Sequence, residues 1–411
     1  MSRRRPASGA EPAGGKDRSG QTGSRGGLRR LLRYFLVLGA TGFGGPIATV
    51  GYMQRDLVEQ RGWLDREQFL NGVALGQTMP GPLAAQVTMW VGFLSRGPLG
   101  ALAVSAAFIA PSFFFVLAVA VLYTHFSGLP VVQAVFYGVA PGVMAIIAIA
   151  AYRLAKLTNR TDLRLWAISA VLAVVTAVTG AEIAVLFIGA GLLMILLDAP
   201  PAFVRRPRAA LALMLPALLA AGRPIRAAGA AGTLGGLAGA GTLVALGLFF
   251  LTTGAFTFGS GLAIVPFLHA GVVTQHHWLN DRQFLDAVAM GLITPGPVVI
   301  TATFIGYLAG GLTGALVSTV AIFTPIYLGV VLPGRWFIRH KDNPQVKAFV
   351  KGATAAAAGA LSGATVVLTR QVVVDLPTLA IALITLAVLL RLKVKEPYVV
   401  LACAAAGIAL H

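Results

Sequence analysis

The sequence predicts an all-α integral membrane protein with two homologous multi-span domains, arranged as inverted repeats with about thirteen crossings. Three observations predict it. The 411-residue chain is 57% hydrophobic and 11% charged, with a mean hydropathy of +0.82, whereas a soluble domain carries about 25% charge. Uncharged apolar runs such as Ala101 to Tyr123 reach the roughly 20 residues a bilayer requires, without the alternation of barrel strands. One pattern also occurs twice. Phe43-Gly44 returns as Phe258-Gly259, Trp63-Leu64 as Trp278-Leu279, Gln68-Phe69-Leu70 as Gln283-Phe284-Leu285, and Pro80-Gly81-Pro82 as Pro295-Gly296-Pro297, always 215 residues on. Gly92, Pro111 and Pro130 then match Gly306, Pro325 and Pro344 at an offset of 214. Paired apolar units broken by Gly and Pro at matching places point to a transporter.

The elements follow in order. Residues 1–30 read as a disordered basic cytoplasmic tail without the apolar core of a signal peptide. The first repeat, 31–198, holds apolar segments near 31–53, 70–95, 99–123, 131–152, 164–180 and 182–197. The second, 242–411, holds segments near 243–268, 285–309, 312–333, 345–369, 371–390 and 397–410. The last two of each set are short enough to pair as hairpins. Loop charges set the orientation. The link 124–130 has no Lys or Arg, while its counterpart carries Arg335, Arg339 and Lys341. The next link has Arg153, Lys156, Arg160 and Arg164, while its counterpart keeps only Arg370. This opposite bias predicts inversion, with the N-terminus cytoplasmic. Six passages per repeat would leave the copies parallel, so the linker 199–241 needs one more, placed at 209–222.

Two paired motifs carry the chemistry. Glycines and proline break a helix at Gly44, Gly45 and Pro46, and again at Gly259, Ser260 and Gly261. Such a break survives in hydrocarbon only against protein or a wet cavity. The freed N–H groups at a half-helix N-terminus then favour an anion; close packing through small residues is the competing reading. The second motif is the pair of Pro-Gly-Pro breaks, taken to lie near mid-bilayer. It nominates Gln77, Thr78, Pro80, Gly81, Pro82 and Gln86 in one copy, and Thr294, Pro295, Gly296 and Pro297 in the other. Thr301 and Thr303 join them as hydroxyl donors. For each single side chain, an interhelical contact competes with ligand contact. The arginines of the connector 54–67 read as solvated, Trp63 and Trp278 as interfacial anchors, and Asp286 as a dipole-stabilising acid in a first helical turn.

Other classes are excluded or demoted. A formal charge of +18 reflects basic loops rather than a basic face with interleaved aromatics, so no nucleic acid is expected. A lone Cys403 rules out an internal disulfide or a multi-cysteine metal site. No nucleophile–base pair, phosphate loop or zinc motif is present, so no enzyme, metal or cofactor is expected, and without an ATP site transport is secondary or channel-like.

Phe43-Gly44-Gly45-Pro46, the stretch Glu59 to Leu64, Gly76-Gln77 leading to Pro80-Gly81-Pro82, and the second Pro295-Gly296-Pro297 resemble the chromate ion transporter family in its long, two-domain form. The resemblance covers nearly everything from Leu31 onward. It implies two membrane domains of opposite orientation in the inner membrane that expel chromate from the cytoplasm and confer resistance. Sulfate or another tetrahedral oxyanion is the alternative cargo, and a passive anion channel the alternative mechanism. The bilayer is the other partner, and a homo-oligomer is compatible. Ser260-Gly261 in place of Gly45-Pro46, and Leu292 in place of Gln77, imply that the first copy supplies more polar contacts.

Overall fold

The computed structural model describes residues 27–43, 45–126, 129–179, 184–200, 238–257, 261–334, 336, 343–392, 394 and 396–410. Most of the basic tail, Gly44, Gly259, Ser260, the linker passage at 209–222, and Arg335, Arg339 and Lys341 lie outside them.

The described chain is helical. The first repeat holds α1 (Leu28–Thr41), α2 (Gly45–Met53, continuing as a π-helical stretch, Gln54–Gln60), α3 (Arg66–Thr78), α4 (Leu83–Phe126), α5 (Pro130–Asn159), α6 (Leu163–Thr179) and α7 (Ala184–Asp198). The second holds α8 (Ala238–Ala255) and α9 (Val265–His269, between a 3-10 turn at Gly261–Ile264 and a π-helical stretch at Ala270–Gln275). It continues with α10 (Asp281–Ile293), α11 (Thr301–Val331), α12 (Pro344–Val372), α13 (Leu376–Arg391) and α14 (Glu396–Leu410). Starts are capped as the sequence suggests: Asn280 and Gln283 form a capping box on α10, as do Asp375 and Thr378 on α13. By length and composition, four helices among the described residues can cross a membrane: Leu83–Phe126, Pro130–Asn159, Val298–Val331 and Pro344–Val372.

The segments at 70–95 and 285–309 are not single passages. Each folds back on itself. The Trp90 indole N–H donates to the Gln68 carbonyl at 2.9 Å. A Cβ on Gly72 would touch the Trp90 ring, and one on Gly76 would meet Leu83 and Gln86. Contacts that tighten this way toward the middle of the segment define a hairpin with Pro80-Gly81-Pro82 at its tip. Gly291 meets Thr301 and Val298 in the same manner across Pro295-Gly296-Pro297. The physical reason lies in the tip: two prolines remove backbone donors and clash with a preceding helical turn, so the chain reverses rather than kinks. The segments near 31–53 and 243–268 also turn back. The Tyr34 hydroxyl donates to Asp56 at 3.2 Å, and Phe249 lies against Gly271. The expected count of about thirteen treated all four as passages.

The long helix α4 is two arms. Arg96 (φ −145°) and Gly97 (φ 62°) break it, and Gly92 and Gly100 then face one another across the turn. Gly310 and Gly311 break α11 in the same way, with Gly306 against Gly314.

The repeats exchange their C-terminal halves. Helix α5 packs against α13 and α14, and α12 packs against α6 and α7. Small residues permit the approach. A Cβ on Gly138 would run into the Cys403 carbonyl oxygen, and one on Gly352 into that of Ala190. Substituting either glycine drives side chain into backbone. Helices of 15–17 residues are thus held by the long helix of the other repeat, which compensates for their marginal length.

Candidate functional site

Both hairpin tips end on the opposite repeat. At the first, Gly81 adopts φ 138° and donates its N–H to the Thr257 carbonyl at 2.5 Å, while a Cβ there would meet Ile326 at 2.9 Å. At the second, Gly296 adopts φ 104°, and the Ser112 hydroxyl donates to the Pro295 carbonyl at 2.5 Å. A Cβ on Gly296 would run into Ser112 Oγ. Ser112 and Ile326 occupy matching positions of the two copies. The contacts are reciprocal, and at both tips only a glycine satisfies the positive φ and the close approach together.

Polar side chains at the tips are largely spent on the fold. Gln86 is fully buried. Its Nε2 donates to the carbonyls of Met79 at 3.1 Å and Pro80 at 2.8 Å, and its Oε1 has no hydrogen-bond partner among the described residues. The Thr78 hydroxyl donates to Ala74, Thr294 to Met290 and Thr301 to Val298. Thr303 pairs with Thr319 at 2.7 Å. Gln77 is exposed.

A cavity of about 270 Å³ joins part of the expected set. Gly42 and Phe43 from the first break line it, with Gly291, Thr294 and Gly296 from the second hairpin, and Leu262 beside the second break. Arg153 and Glu396 line it as well. Gly45 opens α2 directly after the first break, with Pro46 in its first turn. Pro80, Gly81 and Pro82 are not in this lining. They sit at the first tip, against Thr257 and Ile326. The cavity therefore takes more of its wall from the second hairpin than from the first.

Two residues escaped the sequence reading. Ser112 and Tyr123 clasp the second hairpin. Tyr123 donates to Asp286 Oδ2 at 2.8 Å, and Asp286 is 2% exposed. Helix α10 begins at Asp281, so Asp286 is one turn deeper than a dipole-stabilising position. It is a buried carboxylate held by a phenol of the other repeat. Nothing in the local sequence marks Tyr123 as its partner, 163 residues away.

Comparison with known proteins supplies the remaining link. The family model described as chromate transporter matches residues 29–195 and again 244–408. The chain belongs to the chromate transporter family. A chromate transport protein of Cupriavidus metallidurans is 48% identical over 384 residues, 93% of this chain and 92% of its own length. A Synechococcus elongatus relative is 47% identical over 93% of this chain and 95% of its own. A chromate transport protein of Pseudomonas aeruginosa is 29% identical over 86% of this chain. No solved structure matches. In this chromate transporter family member the two matched regions are the two copies, and each hairpin tip seats on the other copy.

Proposed function

We propose that the chain is a secondary transporter that carries chromate out of the cytoplasm across the inner membrane and so confers chromate resistance. Two inverted repeats, 31–198 and 242–411, work by alternating access around the cavity at the second hairpin tip. The observation that carries this reading is the reciprocal seating of each Pro-Gly-Pro tip on the other repeat. Motion of one copy against the other must move both tips, which is what an alternating-access carrier needs. Inversion is supported by Arg153, Lys156, Arg160 and Arg164 standing opposite a counterpart link that keeps only Arg370. Backbone breaks at 42–46 and 294–297 suit a compact dianion better than a cation, with Arg153 offsetting Glu396 in the same lining. Chromate as the cargo comes from the family and from the relatives' names. Inside-out membrane vesicles containing the protein should take up labelled chromate saturably, with sulfate competing weakly. Uptake of sulfate without chromate would transfer the reading to a sulfate carrier, and uptake that never saturates would make it a channel.

A further inference from the structure

A cavity of about 690 Å³ opens beside the first break, lined by four arginines and one aspartate. Arg30 and Arg33 lie in the first two turns of α1; Arg55 and Arg61 come from the connector after α2. Their states differ. Arg55 is tied to Asp56 at 2.8 Å. The Arg61 guanidinium lies over the rings of Tyr34 and Trp63, 5.1 and 4.8 Å from their centroids. Aromatic faces hold a cation in place without neutralising it. Arg30 and Arg33 have no carboxylate partner among the described residues. The cavity therefore keeps a net positive charge on a fixed floor. Phe43 lines this cavity and also the one at the second hairpin tip.

The matching place in the second repeat has none of this. Ala245, Leu248, Ala270 and His276 stand where the first repeat has Arg30, Arg33, Arg55 and Arg61, and Phe249 and Gly271 replace Tyr34 and Asp56. There the aromatic rings fill the space. Phe249 and Phe267 stack at 6.1 Å, Phe256 and Phe267 at 6.4 Å, and His276 and Trp278 at 4.3 Å. Repetition of the backbone with loss of every arginine makes the charge a property of one mouth rather than of the fold.

We propose that Arg30, Arg33 and Arg61 form a one-sided capture site for a tetrahedral oxyanion dianion, from which the anion passes Phe43 to the inner cavity. This rests on the reading of the chain as an oxyanion carrier. A charged, walled vestibule raises the local anion concentration, and its effect weakens as salt screens it. Lipid phosphate shares that chemistry, so the test separates the two. The full chain is reconstituted in vesicles of zwitterionic lipid, without and with added anionic lipid, and labelled chromate entry is measured from the side bearing α1, at low and high chloride. Arg30→Gln with Arg33→Gln should raise KM at least about threefold, leave the maximal rate unchanged and flatten the salt dependence. Arg30→Lys with Arg33→Lys should restore KM, because charge rather than geometry is needed. The charge-matched control Lys156→Gln with Lys347→Gln should leave KM alone. An unchanged KM in the glutamine variant overturns the proposal. So does a change that appears only when anionic lipid is present, which would assign the arginines to headgroups. Failure of the wild-type protein to transport would remove the carrier reading itself, a distinct outcome.

Discussion

The two hairpins share a Pro-Gly-Pro tip and are held in opposite ways. The first is braced from within, by the buried Gln86 amide, which donates to two tip carbonyls. The second has Thr301 at the matching position, and Thr301 spends its hydroxyl on its own turn. Its support comes from outside, from Ser112 at the tip and Tyr123 on Asp286. Both of those residues belong to the first repeat. The first hairpin thus carries an internal side-chain brace in addition to its seat on Thr257, while the second takes its side-chain support from its partner. A duplicated motif fixes the shape of the turn, and the residues around it decide what the turn responds to.

The comparison breaks most severely at the tip glycines. Gly81→Val and Gly296→Val each place a branched side chain at positive φ, which costs on the order of 1–3 kcal/mol before any clash. Each also drives a Cβ into Gln86 or Ser112. Chromate uptake by vesicles should fall by at least about tenfold in both, at equal membrane abundance. Normal uptake in either variant would reduce that tip to packing.

A smaller effect sharpens the difference in support. Gln86→Leu leaves two part-buried tip carbonyls without their donor, while Ser112→Ala leaves one buried carbonyl, a lost bond costing about 1–3 kcal/mol where burial is complete. Thermal unfolding in detergent should therefore drop further for Gln86→Leu. Proteolytic sensitivity should separate them by place, with the first hairpin exposed by Gln86→Leu and the second by Ser112→Ala. Equal drops at the same cleavage sites would mean that the two hairpins are held alike.

Much of this was legible in the residues. The repeat, its one-residue slip and the breaks at 42–46 and 79–82 are written in Gly and Pro, whose backbone consequences are local. Hydropathy alone did not distinguish a passage from a fold-back, because 70–95 is apolar and long enough for either. Only contacts such as Trp90 to Gln68 decide it. Gln86 was visible as a polar residue near the tip, but its donors point at the tip's own carbonyls. Asp286 stood out as a carboxylate, while Tyr123 and Ser112 gave no sign, since their partners lie more than 160 residues away. The connector arginines Arg55 and Arg61 read as solvated, because one repeat's charges mean little until the aromatic fill of the other is set beside them.

The central claim is that the two copies face opposite sides of the membrane, and paired cysteines test it most directly. Leu129, in the uncharged link before α5, and Asn343, at the cap of α12, hold matching positions in the two copies. Leu129→Cys and Asn343→Cys would be made singly in a Cys403→Ser background that still transports chromate. In intact cells an impermeant thiol reagent should label the first and spare the second, and inside-out vesicles should reverse the result. Labelling of both positions from the same side would contradict the inverted arrangement and the alternating-access account built on it.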